Sequence, residues 1–264
     1  MDTILLQLAE TLEQLAREGE EAFYRGDIAA ALVRDVTDKG GFLSMDDLRD
    51  YSATWSDPLS IPFRDGTVFA MPGLTAGPTL ANALAHWQDG YDAADADSPA
   101  AYVARTNGLR AAYADRLTNM GDHDSAKAPG CTTHFSIVDS AGNMVSMTQT
   151  LLSIFGSKVV SPSTGLNLNN GIMWFDPEPG KPNSLAAGKA CLMNVCPVVG
   201  ETPTRRFALG ASGGRKIMPA VAQISGHLIE QGMSMQDAVE APRLDASGGA
   251  QVVADERLAG PVAD

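Results

Sequence analysis

The chain is poor in cysteine, in basic residues and in aromatics. Its three cysteines, Cys131, Cys191 and Cys196, are an odd number at low density in 264 residues, with no C-x-x-C spacing. That excludes a disulfide framework and argues against a structural zinc site. Nineteen Lys and Arg stand against 32 Asp and Glu, for a formal charge of −13. No Lys/Arg cluster interrupts this acidity, so neither nucleic acid nor an anionic membrane is expected as a partner. No apolar run approaches the ~18 residues of a membrane span. The opening MDTILLQLAETLEQ lacks a basic leader and a continuous apolar stretch, so no signal peptide is read there, and as written the chain is expected to be cytoplasmic. Walker and H-E-x-x-H motifs are absent, and no cofactor is expected.

What is present is an ordinary globular composition, 44% hydrophobic and 19% charged. Ile4, Leu5, Leu8, Leu12 and Leu15 fall on one helical face, with Gly19 as a stop. A second helix is predicted after Asp27, ending at Gly40 and Gly41, and a short third one capped by Ser44 and Asp47 runs to Tyr51. Residues 67–71 read as a strand halted by Pro72, and helical patterns return at 77–89 and 99–117. Beyond residue 125 the character changes. Residues 133–139 and 144–150, joined by SAGN, predict a hairpin. A short apolar run at 206–210 leads through ASGG into a long helix, and Ser234 with Asp237 caps another. The first half is mainly helical, the second strands plus one major helix. The order is not βαβα, which argues against a doubly wound sheet.

Three patterns could carry chemistry. Gly210, Ser212 and Gly214 match G-x-S-x-G between a strand and a helix, the setting of a nucleophile elbow. A serine esterase then needs an acid and a histidine downstream in that order, but His227 precedes Asp237 and Asp245. The better reading uses the glycines: Gly213 and Gly214 open a helix with backbone N–H groups free to hold an oxyanion, against the plain alternative of a tight turn. Asp122, His123 and Asp124 are adjacent, so their side chains do not converge, and a solvated loop is the better reading than a metal site. Finally, Thr132 opens a strand-like run. A threonine hydroxyl is a poor nucleophile unless a base sits beside it, and a cut before Thr132 would supply one as the new α-amino group, with a pKa near ~8. Threonine is also simply common in strands, and spacing alone leaves the two readings open.

The run TTHFSIVDSAGNMVSMTQT (132–150) resembles the start of the small subunit of γ-glutamyltranspeptidases, which are N-terminal-nucleophile (Ntn) hydrolases. EAFYRGDIAAALV, TAGPTL, AYADRLTNMGD, SPSTGLNLNNGIMWF, GASGG and DAVEAPR resemble further blocks of that family, in the same order, from about residue 8 to 250. The resemblance implies an α+β fold, the four-layer αββα sandwich of Ntn hydrolases, here incomplete. It implies division into a large-subunit-like segment, 1–131, and a small-subunit-like segment, 132–264. It implies autocleavage of the Cys131–Thr132 bond, Thr132 as nucleophile, Thr150 as the second threonine that hydrogen-bonds it, and Gly213 and Gly214 as the oxyanion hole. The implied substrates are glutathione or related γ-glutamyl or acyl amides, and family members are often periplasmic or extracellular.

The sequence departs from the family pattern around the acyl pocket. Gly171 and Trp174 stand where glutathione-acting members carry Gln and Asp for the substrate's α-amino group. Leu152 stands in place of Asn, and Met193 and Asn194 in place of a Ser-Ser pair that holds the α-carboxylate. A buried ammonium without acceptors is costly, so acylase-like members fit these residues better. By the same resemblance the start of the large subunit, with its carboxylate-binding arginine, and the end of the small subunit are absent. Self-association, or a chain supplying the missing elements, is therefore expected. The alternatives are an inactive family fragment serving as a binding or assembly module, the Ser212 esterase, and Cys131 as nucleophile.

Overall fold

The computed structural model describes residues 2–120, 130–248 and 251–258. They fall into two compact units: Met1–Ser56 with Ser153–Asn170, and Asp57–Leu152 with Gly171–Asp264. These units follow packing, whereas the division expected between residues 131 and 132 is one of covalent processing.

The first unit carries α1 (Asp2–Glu18), α2 (Glu20–Tyr24), α3 (Asp27–Thr37) and α4 (Met45–Arg49). Ala22, Ile28 and Leu32 form its small core, packed by Leu15, Phe23, Leu166 and Leu168. The predicted apolar face of α1 is only partly used, since Leu5 is 59% exposed and Leu12 51%. α4 has the expected capping box, with Ser44 and Asp47 satisfying each other's backbone N–H, and it ends at Arg49 rather than Tyr51. The loop 161–164 is tied down by polar groups. Buried Asp35 accepts from Ser161 Oγ, from Ser163 N (2.9 Å) and from Ser163 Oγ (2.8 Å). Burial alone would raise this carboxyl's pKa, but the hydrogen bonds outweigh it and hold the group below its usual range.

The second unit is built on an antiparallel four-stranded sheet, in the order β1 (Leu59–Phe63), β2 (Gly66–Ala70), β5 (Val198–Glu201), β6 (Arg206–Leu209). Between β2 and β5 along the chain come the hairpin strands β3 (Gly130–Val138) and β4 (Met144–Ser153). Pro62 lies in β1, an edge strand, where its missing N–H is tolerated. Ile61, Phe63, Val68, Val198 and Leu209 are buried with side chains of α5 (Gly77–Gly90), α6 (Pro99–Asp115) and α7 (Ile217–Glu230) in one core. Trp87 of α5 is fully buried there, and its Nε1 donates to Arg105 O of α6 at 3.1 Å. At the end of α7 the buried Glu230 carboxylate meets Arg64 (2.9 Å), Arg105 (3.0 Å) and the Tyr91 hydroxyl (2.9 Å). The unit closes with α8 (Met235–Glu240) and the short pair β7 (Leu244–Asp245) and β8 (Val253–Ala254). β1, β5, β7, β8 and α2 are elements the sequence reading did not anticipate.

The β3–β4 hairpin is as predicted. Asp139 closes its turn, donating its N–H to Asn143 O and accepting at its carboxylate from the N–H groups of Ala141 and Asn143. The hairpin meets the sheet at the end of β6, where Ser146 Oγ donates to Leu209 O at 2.9 Å.

Candidate active site

Alternation along β3 and β4 sorts the hairpin side chains onto two faces. Thr132, His134, Ser146, Thr148 and Thr150 share one, all at least partly shielded. Thr132 Oγ1 lies 3.1 Å from Thr150 Oγ1. Thr150 Oγ1 also accepts the Leu152 N–H at 2.9 Å. The structure thus brings together the two threonines singled out in the sequence. It adds Leu152 as the residue that orients the second, because its backbone N–H occupies an acceptor position of Thr150 Oγ1.

Leu152 performs this at φ 69°, in the left-handed region. A β-carbon is disfavoured there by ~1–2 kcal/mol, and Asn and Gly are the residues that tolerate it. The resemblance places Asn at this position, and a leucine held at this φ carries strain that an asparagine would largely avoid.

His134 fills the next place on the same face. One ring nitrogen lies 2.9 Å from Thr148 Oγ1 and the other 3.1 Å from Ser136 Oγ. Burial holds its pKa below the ordinary histidine value, so at neutral pH the ring is uncharged, one nitrogen donating and the other accepting.

The GASGG segment runs from β6 toward α7. Gly213 sits at φ 137° and Gly214 at φ 61°, both in the region that favours glycine, and Gly214 opens a 3-10 turn that leads into α7. Their placement at a helix start is the one the sequence predicted. Ser212 beside them is exposed, while His227 is buried in α7 with Nδ1 2.8 Å from Gln231 Oε1. Its Nδ1 is held by the residue just past α7 and not by Ser212, which speaks against an esterase triad.

The residues of the expected acyl pocket are linked through two side chains the sequence reading missed. Asn183, 3% exposed, donates Nδ2 to Trp174 O (2.6 Å) and accepts the Leu192 N–H at Oδ1 (2.9 Å). It therefore joins the 3-10 turn Gly171–Trp174 to the segment carrying Met193 and Asn194. Arg116, 1% exposed, donates to Thr75 O (3.0 Å), Thr79 Oγ1 (3.2 Å), Met193 O (2.8 Å) and Asn194 Oδ1 (3.1 Å). It sits at the start of a single π-helical turn following α6. No local motif marks either residue, because their partners lie many positions away in sequence.

Asp122, His123 and Asp124 lie outside the described residues. Among the described residues no three His, Cys, Asp or Glu side chains gather as a metal site requires. Burial raises the pKa of both Cys191 and Cys196, the latter to about 12, so neither is a thiolate at neutral pH.

The chain matches the γ-glutamyltranspeptidase family model over residues 4–131 and 126–262. It belongs to that family. Among curated relatives, an acylase ACY 1 proenzyme of Pseudomonas sp. (strain V22) is 30% identical over 94% of this chain and 51% of its own length. A glutathione hydrolase proenzyme of Escherichia coli (strain K12) is 29% identical over 92% and 51%. The chain thus spans about half the length of these relatives. A cephalosporin acylase from Bacillus halodurans superposes with a TM-score of 0.84 at 25% identity, over 94% of this chain and 51% of that one. The fold is accordingly the expected α+β, Ntn-hydrolase-type sandwich, present in part.

Proposed function

We propose that the protein is an Ntn-type amide hydrolase or acyltransferase in which Thr132, released by cleavage of the Cys131–Thr132 bond, is the nucleophile. The observation that carries this is the Thr132–Thr150 hydroxyl pair at 3.1 Å, with Thr150 oriented by the Leu152 N–H. In maturation Thr132 Oγ adds to the Cys131 carbonyl, the peptide C–N bond breaks, and the resulting ester is hydrolysed by water. In turnover the hydroxyl adds to the substrate amide, and the new α-amine takes its proton and passes it to the leaving amine. The Gly213 and Gly214 N–H groups stabilise the tetrahedral oxyanion. Water or an acceptor amine then releases the acyl group.

The acyl pocket is taken to be formed by Gly171, Trp174, Met193 and Asn194. Arg116 donates to Asn194 Oδ1 and so orients the amide, whose NH2 group is a donor for a ligand. That suits a carboxylate or carbonyl on the acyl chain, and the Arg116 charge beside it disfavours an ammonium. With Trp174 as an apolar wall, the pocket favours a less charged or aromatic-compatible acyl group over γ-glutamyl. An acylase and a glutathione hydrolase both stand among the relatives, and these residues favour the former. Self-association, or a second chain, over the exposed apolar face of the hairpin belongs to the same reading.

Intact-mass measurement tests the core of it. Wild type should yield fragments 1–131 and 132–264 on incubation, and Thr132→Ala should stay whole. If both remain single chains, the assignment fails.

A further inference from the structure

The inner face of the β3–β4 hairpin carries an imidazole between hydroxyls, where an apolar residue would ordinarily pack against the neighbouring layer. A β-carbon placed on Gly210 would lie 2.2 Å from His134 Nδ1 and 2.3 Å from Cε1, well inside contact. Cγ would lie at 2.7 Å as well, so the face of the ring, on its Nδ1 side, rests directly on Gly210. His134 cannot retreat from this contact, because Thr148 Oγ1 and Ser136 Oγ hold its two nitrogens at 2.9 and 3.1 Å. One residue earlier, Ser146 Oγ holds Leu209 O at 2.9 Å. Two consecutive backbone positions are thus fixed to the hairpin immediately before the chain enters Gly213 and Gly214, both at positive φ.

We propose that His134 is a positioning residue: its imidazole, packed face-on against Gly210 and held by Thr148 and Ser136, sets the separation between the strand that carries Thr132 and the loop that carries the Gly213 and Gly214 amides. A flat neutral ring suits this task. It is rigid, it is two residues from Thr132 on the same face of β3, and both its polar atoms are satisfied without a charge. An aliphatic side chain of similar size would leave the Thr148 and Ser136 hydroxyls without their partner. Glycine at 210 is the complementary requirement, since any side chain there would force the ring and the loop apart. In its catalytic consequence this rests on the Thr132 reading. Nucleophile and oxyanion donors must bracket one carbonyl, and a displacement of about 1 Å can lower turnover ~100-fold.

The test uses the full chain and two independent readouts. Amide hydrogen exchange of peptides spanning 207–216 is compared in wild type, His134→Ala, His134→Asn and Gly210→Ala, with α5–α7 peptides as internal reference. Exchange at 209–214 should rise about tenfold or more in His134→Ala and Gly210→Ala, and stay near wild type in His134→Asn, whose amide can still reach Thr148. On a chromogenic acyl anilide, kcat should fall ~10- to 100-fold in the two disruptive variants with KM changed less than about threefold, and His134→Asn should recover most of it. The double variant His134→Ala/Gly210→Ala should be no worse than the poorer single one, because both remove the same contact. Unchanged exchange at 209–214, or a rise in KM with kcat intact, overturns the proposal. Raised exchange with no turnover in wild type itself upholds the spacer role and sinks the Thr132 reading instead.

Discussion

The four-stranded sheet and the β3–β4 hairpin obey opposite patterns. In the sheet, Ile61, Phe63, Val68, Val198 and Leu209 are buried against α5–α7, the ordinary way to stabilise a layered domain. In the hairpin the shielded face is hydroxyls and an imidazole, while the apolar residues look outward: Ile137 is 54% exposed, Val145 49% and Met147 44%. The sheet is built for stability. The hairpin gives up that contribution to hold Thr132, His134, Thr148 and Thr150 in register, and it meets the sheet through a hydrogen bond to Leu209 and the packing of the His134 ring on Gly210. Where a strand pair points hydroxyls inward and aliphatics outward, its sequence is explained by chemistry on one face and by a covering surface on the other.

The comparison is broken most sharply at Thr132. Thr132→Ala keeps the fold and should lower turnover by on the order of 10^3-fold or more, while also preventing self-cleavage. Residual turnover within tenfold of wild type, measured on the purified variant, would show that the hairpin's polar face is not the reacting one. Gly213→Pro removes one N–H and cannot adopt φ 137°. About a hundredfold loss of kcat is expected in a folded variant.

Stability should split the two regions the other way. Trp87→Ala empties a fully buried site in the core and should cost about 3–5 kcal/mol in denaturant unfolding. Glu230→Gln strips the anion from buried Arg105 and from partly exposed Arg64 and should cost a comparable ~3–5 kcal/mol. Ile137→Thr on the outer hairpin face should change unfolding by less than ~0.5 kcal/mol while lowering self-association by light scattering. A large unfolding penalty at Ile137 would mean that face is already buried in solution. A smaller effect concerns the acyl group: kcat/KM for a glutaryl or aryl-acyl anilide should exceed that for the γ-glutamyl anilide by roughly tenfold. A clear γ-glutamyl preference would refute the pocket assignment.

Local signals carried the elements. Apolar spacing and caps marked α1, α3, α4 and α8, alternation marked the hairpin, and the paired glycines marked the loop before α7. β1 and β5 escaped because they are short and their pairing is set by partners far away: β5 joins β2 across more than a hundred residues. The same reason hid the supports of the site. Thr132 and Thr150 are legible because the run 132–150 resembles the start of the family's small subunit, and the hairpin brings their hydroxyls to 3.1 Å. Asn183, Arg116 and the contact of His134 with Gly210 depend on tertiary proximity, which no period in the sequence encodes. Leu152 lay in between. The resemblance flagged its identity as a departure, but only the backbone angle shows what that departure does.

That angle yields the smallest and most specific expectation. Leu152 combines a left-handed backbone with an N–H that orients Thr150. Two terms compete on replacing it by Asn: the relief of strain, ~1 kcal/mol, and the loss of apolar contact from a half-buried leucine, worth less than the ~1.5–3 kcal/mol of full burial. Because φ is set by the chain on both sides and by the Thr150 bond, the strain persists in every folded molecule, whereas the contact is partial. Leu152→Asn should therefore raise stability by about 0.5 kcal/mol, a Tm rise of ~1–2 °C for a chain of this size. Leu152→Val, β-branched in the same left-handed backbone, should lower it by ~1 kcal/mol and weaken the hold on Thr150. Calorimetry on the three proteins gives the order directly. If Asn proves less stable than Leu, packing outweighs strain at the hairpin's end, and the backbone there is shaped by its apolar side chain rather than by the hydrogen bond to Thr150.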